Sequence, residues 1–171
     1  MVRYPPTRRI FGARLPRVAV AAALAVTTVV PSATDGGTWH WPLDPPWRIT
    51  RSFEAPATRY SAGHRGVDIR AAPGDVVYAV ADGLVHFSGM VAGRPVVTIE
   101  LPDATLVSYE PVDADLAVGE HVARGGRLGV VGGGGHCDAA CVHLGVRVDG
   151  DYVSPLRFLA EVPRAVLLPL R

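Results

Sequence analysis

The chain has 171 residues, with 17 basic side chains, 16 acidic ones, six histidines and two cysteines. Every basic residue is an arginine. Five of them fall in the first 33 positions and every acid falls beyond, so residues 34–171 carry 12 arginines against 16 acids, a net of −4. That balance excludes a charge-driven nucleic-acid partner, and the length suits one domain with its own core.

Residues 1–33 read as an export leader. MVRYPPTRRIFGARLPR is basic and free of acids. VAVAAALAVTTVV (18–30) is apolar but shorter than the roughly 20 residues of a spanning helix, and Pro31, Ser32 and Ala33 follow with two small residues. This is the pattern of a secretory signal peptide, and TRRIF (7–11) resembles a twin-arginine signal. An uncleaved anchor is the competing reading. A secreted or cell-envelope location is therefore expected, with no stable membrane span after leader removal.

Residues 34–62 form a Trp/Pro-rich arm and a first strand. Each proline in TWHWPLDPPW lacks a ladder donor, which excludes a central strand. Trp39, Trp41 and Trp47 are expected to pack on a sheet, with sugar or peptide stacking as the alternative. Short strands with turn chemistry follow. VVYAV (76–80) and LVHFS (84–88) flank an Asp-Gly hairpin signal at Asp82-Gly83. VVTIEL (96–101) and TLVSYE (105–110) flank Pro102-Asp103-Ala104. RLGVV (127–131) and CVHLGVRV (141–148) flank a glycine-rich loop, and DGDY turns toward a last segment near Val153. SPLRFLA offers one helical turn, capped by Ser154 with Pro155 at its first position. The expected class is all-β, an antiparallel sandwich or barrel-like domain over 63–160, with an apolar tail at 161–171.

In GHRGVDI (63–69), His64 and Asp68 stand four apart. A fully extended segment would separate their Cα atoms by about 13 Å, and Gly66 permits a kink that brings them together. A chance hydrogen bond in a polar turn is the plain reading; two metal ligands is the other. His86 in its strand and His121 in VGEHVARGG read as surface or structural. His143, in an apolar strand after the glycine-rich loop, supplies a third donor. Two histidines and a carboxylate leave a fourth position open, the pattern of a catalytic zinc. Cys137 and Cys141 in HCDAAC are most simply a disulfide in an exported chain; a separate zinc site of His136, Cys137, Cys141 and His143 is the rival.

GHRGVDI, the following APGDVVYAVADGLVHFSG, and VGEHVARGGRLGVVGGGG with VHLGV together resemble the lysostaphin/LytM-type zinc metallopeptidases, which cleave peptide cross-links of bacterial cell walls. The likeness runs from about Trp41 to Leu159. It implies a small β-sheet sandwich of the duplicated-hybrid-motif type, a zinc cofactor, and His64, Asp68 and His143 as its ligands, the last matching the second histidine of His-x-His. Two departures stand out. The first histidine of His-x-His falls on Cys141, and the histidine of the family's Tyr-x-His-Leu segment falls on Pro111. Candidate substitutes are His136 as a mobile imidazole, Glu110 as a base and Tyr109 as an oxyanion donor. The implied functions are a secreted zinc endopeptidase acting on peptidoglycan peptides, a zinc-binding relative that binds wall peptides or regulates another cell-wall hydrolase, and a structural β domain with a disused site.

Overall fold

A computed structural model describes residue 1, residues 39–58 and residues 60–159. Apart from Met1, all of these belong to the compact unit Gly36–Arg171. The expected leader (1–33), apart from Met1, and the expected tail (161–171) lie outside the described residues. No helix among the described residues is long and apolar enough to cross a membrane.

Eleven strands and one helical turn follow in chain order: β1 (Ile49–Arg51), β2 (Gly66–Arg70), β3 (Val76–Tyr78), β4 (Gly83–Val91), β5 (Arg94–Glu100), β6 (Leu106–Glu110), β7 (Val112–Asp113), β8 (His121–Val122), β9 (Arg127–Val131), β10 (Cys141–Val148), β11 (Asp151–Val153) and α1 (Leu156–Leu159). All pairings are antiparallel. The large sheet runs β1-β2-β10-β6-β5-β4-β8 with β11 on β10, and a smaller sheet runs β3-β9-β7. The all-β expectation holds.

Alternation along the central strands separates a core face from an open face, as a period of two requires. Val67 and Ile69 of β2, Val142, Leu144 and Val146 of β10, Val107 and Tyr109 of β6, and Val97 and Ile99 of β5 are fully buried. Val77, Leu128, Val131 and Val112 of the small sheet join the same core. Each such aliphatic side chain contributes roughly 1.5–3 kcal/mol by leaving water. The residues between them, among them Asp68, His143, Gly145, Arg147, Ser108 and Glu110, therefore share the open face of the large sheet.

Two strand pairings differ from the sequence expectation. The segments flanking Asp82-Gly83 form no hairpin: β3 pairs with β9, whereas β4 pairs with β5 and β8. Ala79 exchanges backbone hydrogen bonds with Gly125 and Gly126 instead, and Asp82 Oδ1 accepts one from the Arg124 N–H at 2.8 Å. The chain crosses between sheets there. The hairpin actually formed by β4 closes at Ala92-Gly93, both at positive φ (47° and 80°), with Val91 opposite Arg94. A two-residue loop of that kind matches the strand twist, and Pro95 just after it masks the strand in the sequence.

The Pro-rich arm packs as expected, except at its end. Trp39 stacks on Phe158 at 4.4 Å and Trp41 on Trp47 at 4.7 Å. Trp47 itself is largely exposed, and its indole N–H donates to the Leu43 carbonyl at 2.7 Å. α1 forms the single turn anticipated, with the Phe158 and Leu159 N–H groups donating to the Pro155 carbonyl.

Candidate metal centre

His64 and Asp68 reach one another because the chain changes partner between them. His64 precedes β2 and bridges to Glu54, whereas Asp68 sits in β2 opposite His143 of β10. Gly66 is not at a positive φ, so its expected kink is replaced by a different role. A Cβ there would stand 2.7 Å from His143 Nε2 and press on the Leu144 carbonyl oxygen. Only a bare backbone leaves room for the His143 ring.

The donors converge closely. His64 Nε2 lies 3.0 Å from Asp68 Oδ1 and 3.0 Å from His143 Nδ1. His143 Nδ1 lies 2.7 Å from the same oxygen, and His136 Nε2 lies 3.0 Å from it. His64 and Asp68 are buried, while the His136 side chain is 43% exposed. Burial pushes the Asp68 carboxyl up, but hydrogen bonds from His143 and His136, with their charge, outweigh it and hold it at about 2.

His64 Nδ1 lies 2.8 Å from the Ser52 carbonyl oxygen, which only accepts, so Nδ1 carries the proton. The Nε2 of a neutral His64 is then a lone pair aimed at an ionised carboxylate oxygen. Two acceptors at 3.0 Å repel unless a second proton or a cation sits between them. A cation held by His64, Asp68 and His143 would resolve the contact, and their donor atoms and that of His136 all lie within 4.8 Å of one another. Imidazoles with one carboxylate suit zinc at about 2.0–2.2 Å and not calcium or magnesium, which prefer oxygen shells. The His64 bond to Ser52 is of the kind that orients an imidazole toward a metal.

His136 reaches this point on the loop between β9 and β10. Gly134 and Gly135 take positive φ (93° and 65°), and a Cβ on either would strike the Gly93 carbonyl oxygen or the Arg94 side chain at 2.6 and 2.5 Å. Cys137 and Cys141 are joined in a disulfide, their Cα atoms 4.9 Å apart. The rival set of free thiolates is thereby excluded. The bridge ties the residue after His136 to the start of β10, two positions before His143.

The other expected substitutes behave differently. Glu110 faces the cluster opposite His143, but Arg94 holds both its oxygens, Nε to Oε2 at 2.8 Å and Nη2 to Oε1 at 3.2 Å. Tyr109 points the other way, as its neighbour position on β6 demands. It is fully buried in the core, its hydroxyl accepts the Val80 N–H at 3.0 Å, and burial pushes its pKa up. It cannot serve as an oxyanion donor on the open face. Tyr109→Phe leaves the buried Val80 N–H without its acceptor. It is expected to cost about 1–3 kcal/mol in denaturant unfolding with metal content per folded molecule unchanged. Arg94 and the Ser52 carbonyl escaped the sequence reading: a backbone carbonyl carries no residue-type signal, and Arg94 is distant in sequence from what it holds.

An antiparallel two-sheet domain with an imidazole–carboxylate cluster on its open sheet face has the makeup of a metallopeptidase domain. Residues 62–155 match Peptidase family M23, more than half of the chain, and the chain belongs to that family. An uncharacterized protein of Mycobacterium tuberculosis is 39% identical over 78% of this chain and 56% of its own length; the chain thus spans little more than half of that relative. The murein hydrolase activator NlpD of Salmonella typhimurium is 26% identical over 84% of this chain and 38% of its own. Among solved structures, a zinc-containing peptidase from Vibrio cholerae superposes with a TM-score of 0.61 at 25% identity, covering 74% of this chain and 41% of that one.

Proposed function

We propose that the chain is an exported zinc endopeptidase acting on peptidoglycan peptides, with His64, Asp68 and His143 as metal ligands and His136 as the group that handles protons. The observation that carries this reading is the convergence of His64 Nε2, His143 Nδ1 and Asp68 Oδ1 while His64 Nδ1 faces the Ser52 carbonyl, contacts that a bound cation makes favourable. The zinc-containing relative supports the choice of metal. When bound, zinc supplies Lewis acidity toward a peptide carbonyl and an attacking water. His64, locked by Ser52, and Asp68, set on a central strand, hold their lone pairs in place without reorganisation. His136, the most exposed of the four, has the freedom to take a proton from water and return it to a leaving amine. Export is supported by the basic and apolar leader and by the disulfide, which belongs to oxidising compartments.

A second reading has its own support. Four converging donors also suit a closed structural zinc, Glu110 is already engaged by Arg94, and NlpD, a similar protein, is a murein hydrolase activator. In that reading the chain binds wall peptides or a partner hydrolase without cleaving. The deciding experiment measures soluble peptide fragments released from purified peptidoglycan by the zinc-loaded chain, beside a His64→Ala control. Release that vanishes in the control is the expected result. No release by a folded, zinc-bound chain rejects the endopeptidase and leads to capture of a partner hydrolase.

A further inference from the structure

The open face of the large sheet extends well past the cluster. On β10, His143, Gly145 and Arg147 share that face. Gly145 lies between Gly66 of β2 and Ser108 of β6, and Ser108 lies opposite Thr98 of β5. These four small residues form a row across the strands, the low floor of a trough. The Ser108 and Thr98 hydroxyls bond one another at 2.9 Å. On one side of this floor stand His143, His64 and the Arg94–Glu110 pair. On the other stands Arg147, with Tyr152 and Leu106 as its cross-strand partners.

Arg147 is half-buried, and its guanidinium makes no hydrogen bond or ion pair with the described residues. A guanidinium partly withdrawn from water gains from an anionic partner with matching fork geometry. Arg147 and Tyr152 also line a cavity of about 650 Å³ together with Arg65 and Asp151. The Arg65 guanidinium lies 5.7 Å from the centre of the Tyr152 ring, and Arg65 donates to the Ser61 carbonyl at 3.0 Å. Among the described residues, two cations and one acid thus line that cavity, although residues 34–171 carry a net negative charge.

We infer that Arg147, flanked by Tyr152 and Arg65, is a subsite for a carboxylate of a peptide lying in the trough. The inference rests on the peptide-binding part of the proposed function. From His143 to Arg147 the strand advances about 13 Å, with the floor midway. An acidic side chain, or a chain terminus, within about two residues of the bond at the cluster therefore reaches Arg147.

The test uses the full chain stripped of metal by a chelator, so that no cleavage is scored. Hexapeptides of glycine and alanine, amidated and carrying a neutral fluorophore, bear one glutamate at each position in turn, each matched by its glutamine counterpart. A second pair compares a free carboxyl terminus with the amide. Fluorescence anisotropy is expected to give one carboxylate peptide about tenfold tighter binding than its neutral match, with the difference closing at high salt. Preference in the glutamate series identifies a side chain; preference confined to the second pair identifies the terminus. Arg147→Gln should abolish the preference, and Arg147→Glu should turn it toward lysine peptides, which no unfolded variant does. No carboxylate-dependent difference at any position, or one unchanged in Arg147→Gln, overturns the subsite. A chain that cleaves peptidoglycan yet fails here loses only the subsite; one that passes here without cleaving loses only the peptidase.

Discussion

Alanine at His143 is expected to leave a folded domain that no longer holds zinc, and with it no release of wall fragments. The ring contributes Nδ1 at 2.7 Å from Asp68 Oδ1 and 3.0 Å from His64 Nε2, in direct contact with both other proposed ligands. Losing an outer-shell partner of a ligand costs about 10–100-fold in metal affinity; losing a ligand itself should exceed the upper end of that range. The fold should survive, because the β10 backbone keeps its ladder to β2 and β6 and the space over Gly66 simply opens. Metal content after dialysis against a weak chelator, with unfolding followed in parallel, is the measurement. Undiminished zinc in the variant would refute the ligand assignment.

His136→Ala separates the two functional readings. As a proton carrier, His136 contributes around 10²–10⁴ in rate, the usual range for a positioned acid or base. The variant should then bind zinc nearly as well as the parent while releasing fragments at least 100-fold more slowly. As a fourth ligand, it closes the coordination shell, and its loss strips metal as His143→Ala does. The position of His136 Nε2, 3.0 Å from Asp68 Oδ1, brings it within reach of either role. Its exposure and its seat on a glycine loop favour the first, because a ring that must move during a reaction needs room. Equal rates and equal zinc in variant and parent would remove it from both.

Much of this arrangement was written in local pattern. The period of two along 141–148 dictates that His143, Gly145 and Arg147 share a face opposite Val142, Leu144 and Val146, and the close spacing of Cys137 and Cys141 suits the bridge found. Turn chemistry and the absence of a helical period were enough for an all-β antiparallel domain. The same alternation also bears on Tyr109 and Glu110, since adjacent positions cannot both face the site, but it does not say which one does. That depended on which face of β6 meets the small sheet, a choice made by the packing of Val107 and Tyr109 against distant strands.

Tertiary structure alone decided the rest, because each remaining feature depends on partners far away in the chain. Pairing of β3 with β9 instead of β4 brings together segments some 50 residues apart, and no turn signal at Asp82-Gly83 reports such a choice. The Arg94–Glu110 pair turns a free carboxylate into an engaged one. The loop at 132–140 rests on Gly93 and Arg94, carrying His136 to Asp68 across 68 positions of sequence. Residue types and their period determine which chemistry the chain carries and which side chains share a face. Only long-range packing, which costs chain entropy and is repaid by burial, determines which of those side chains meet.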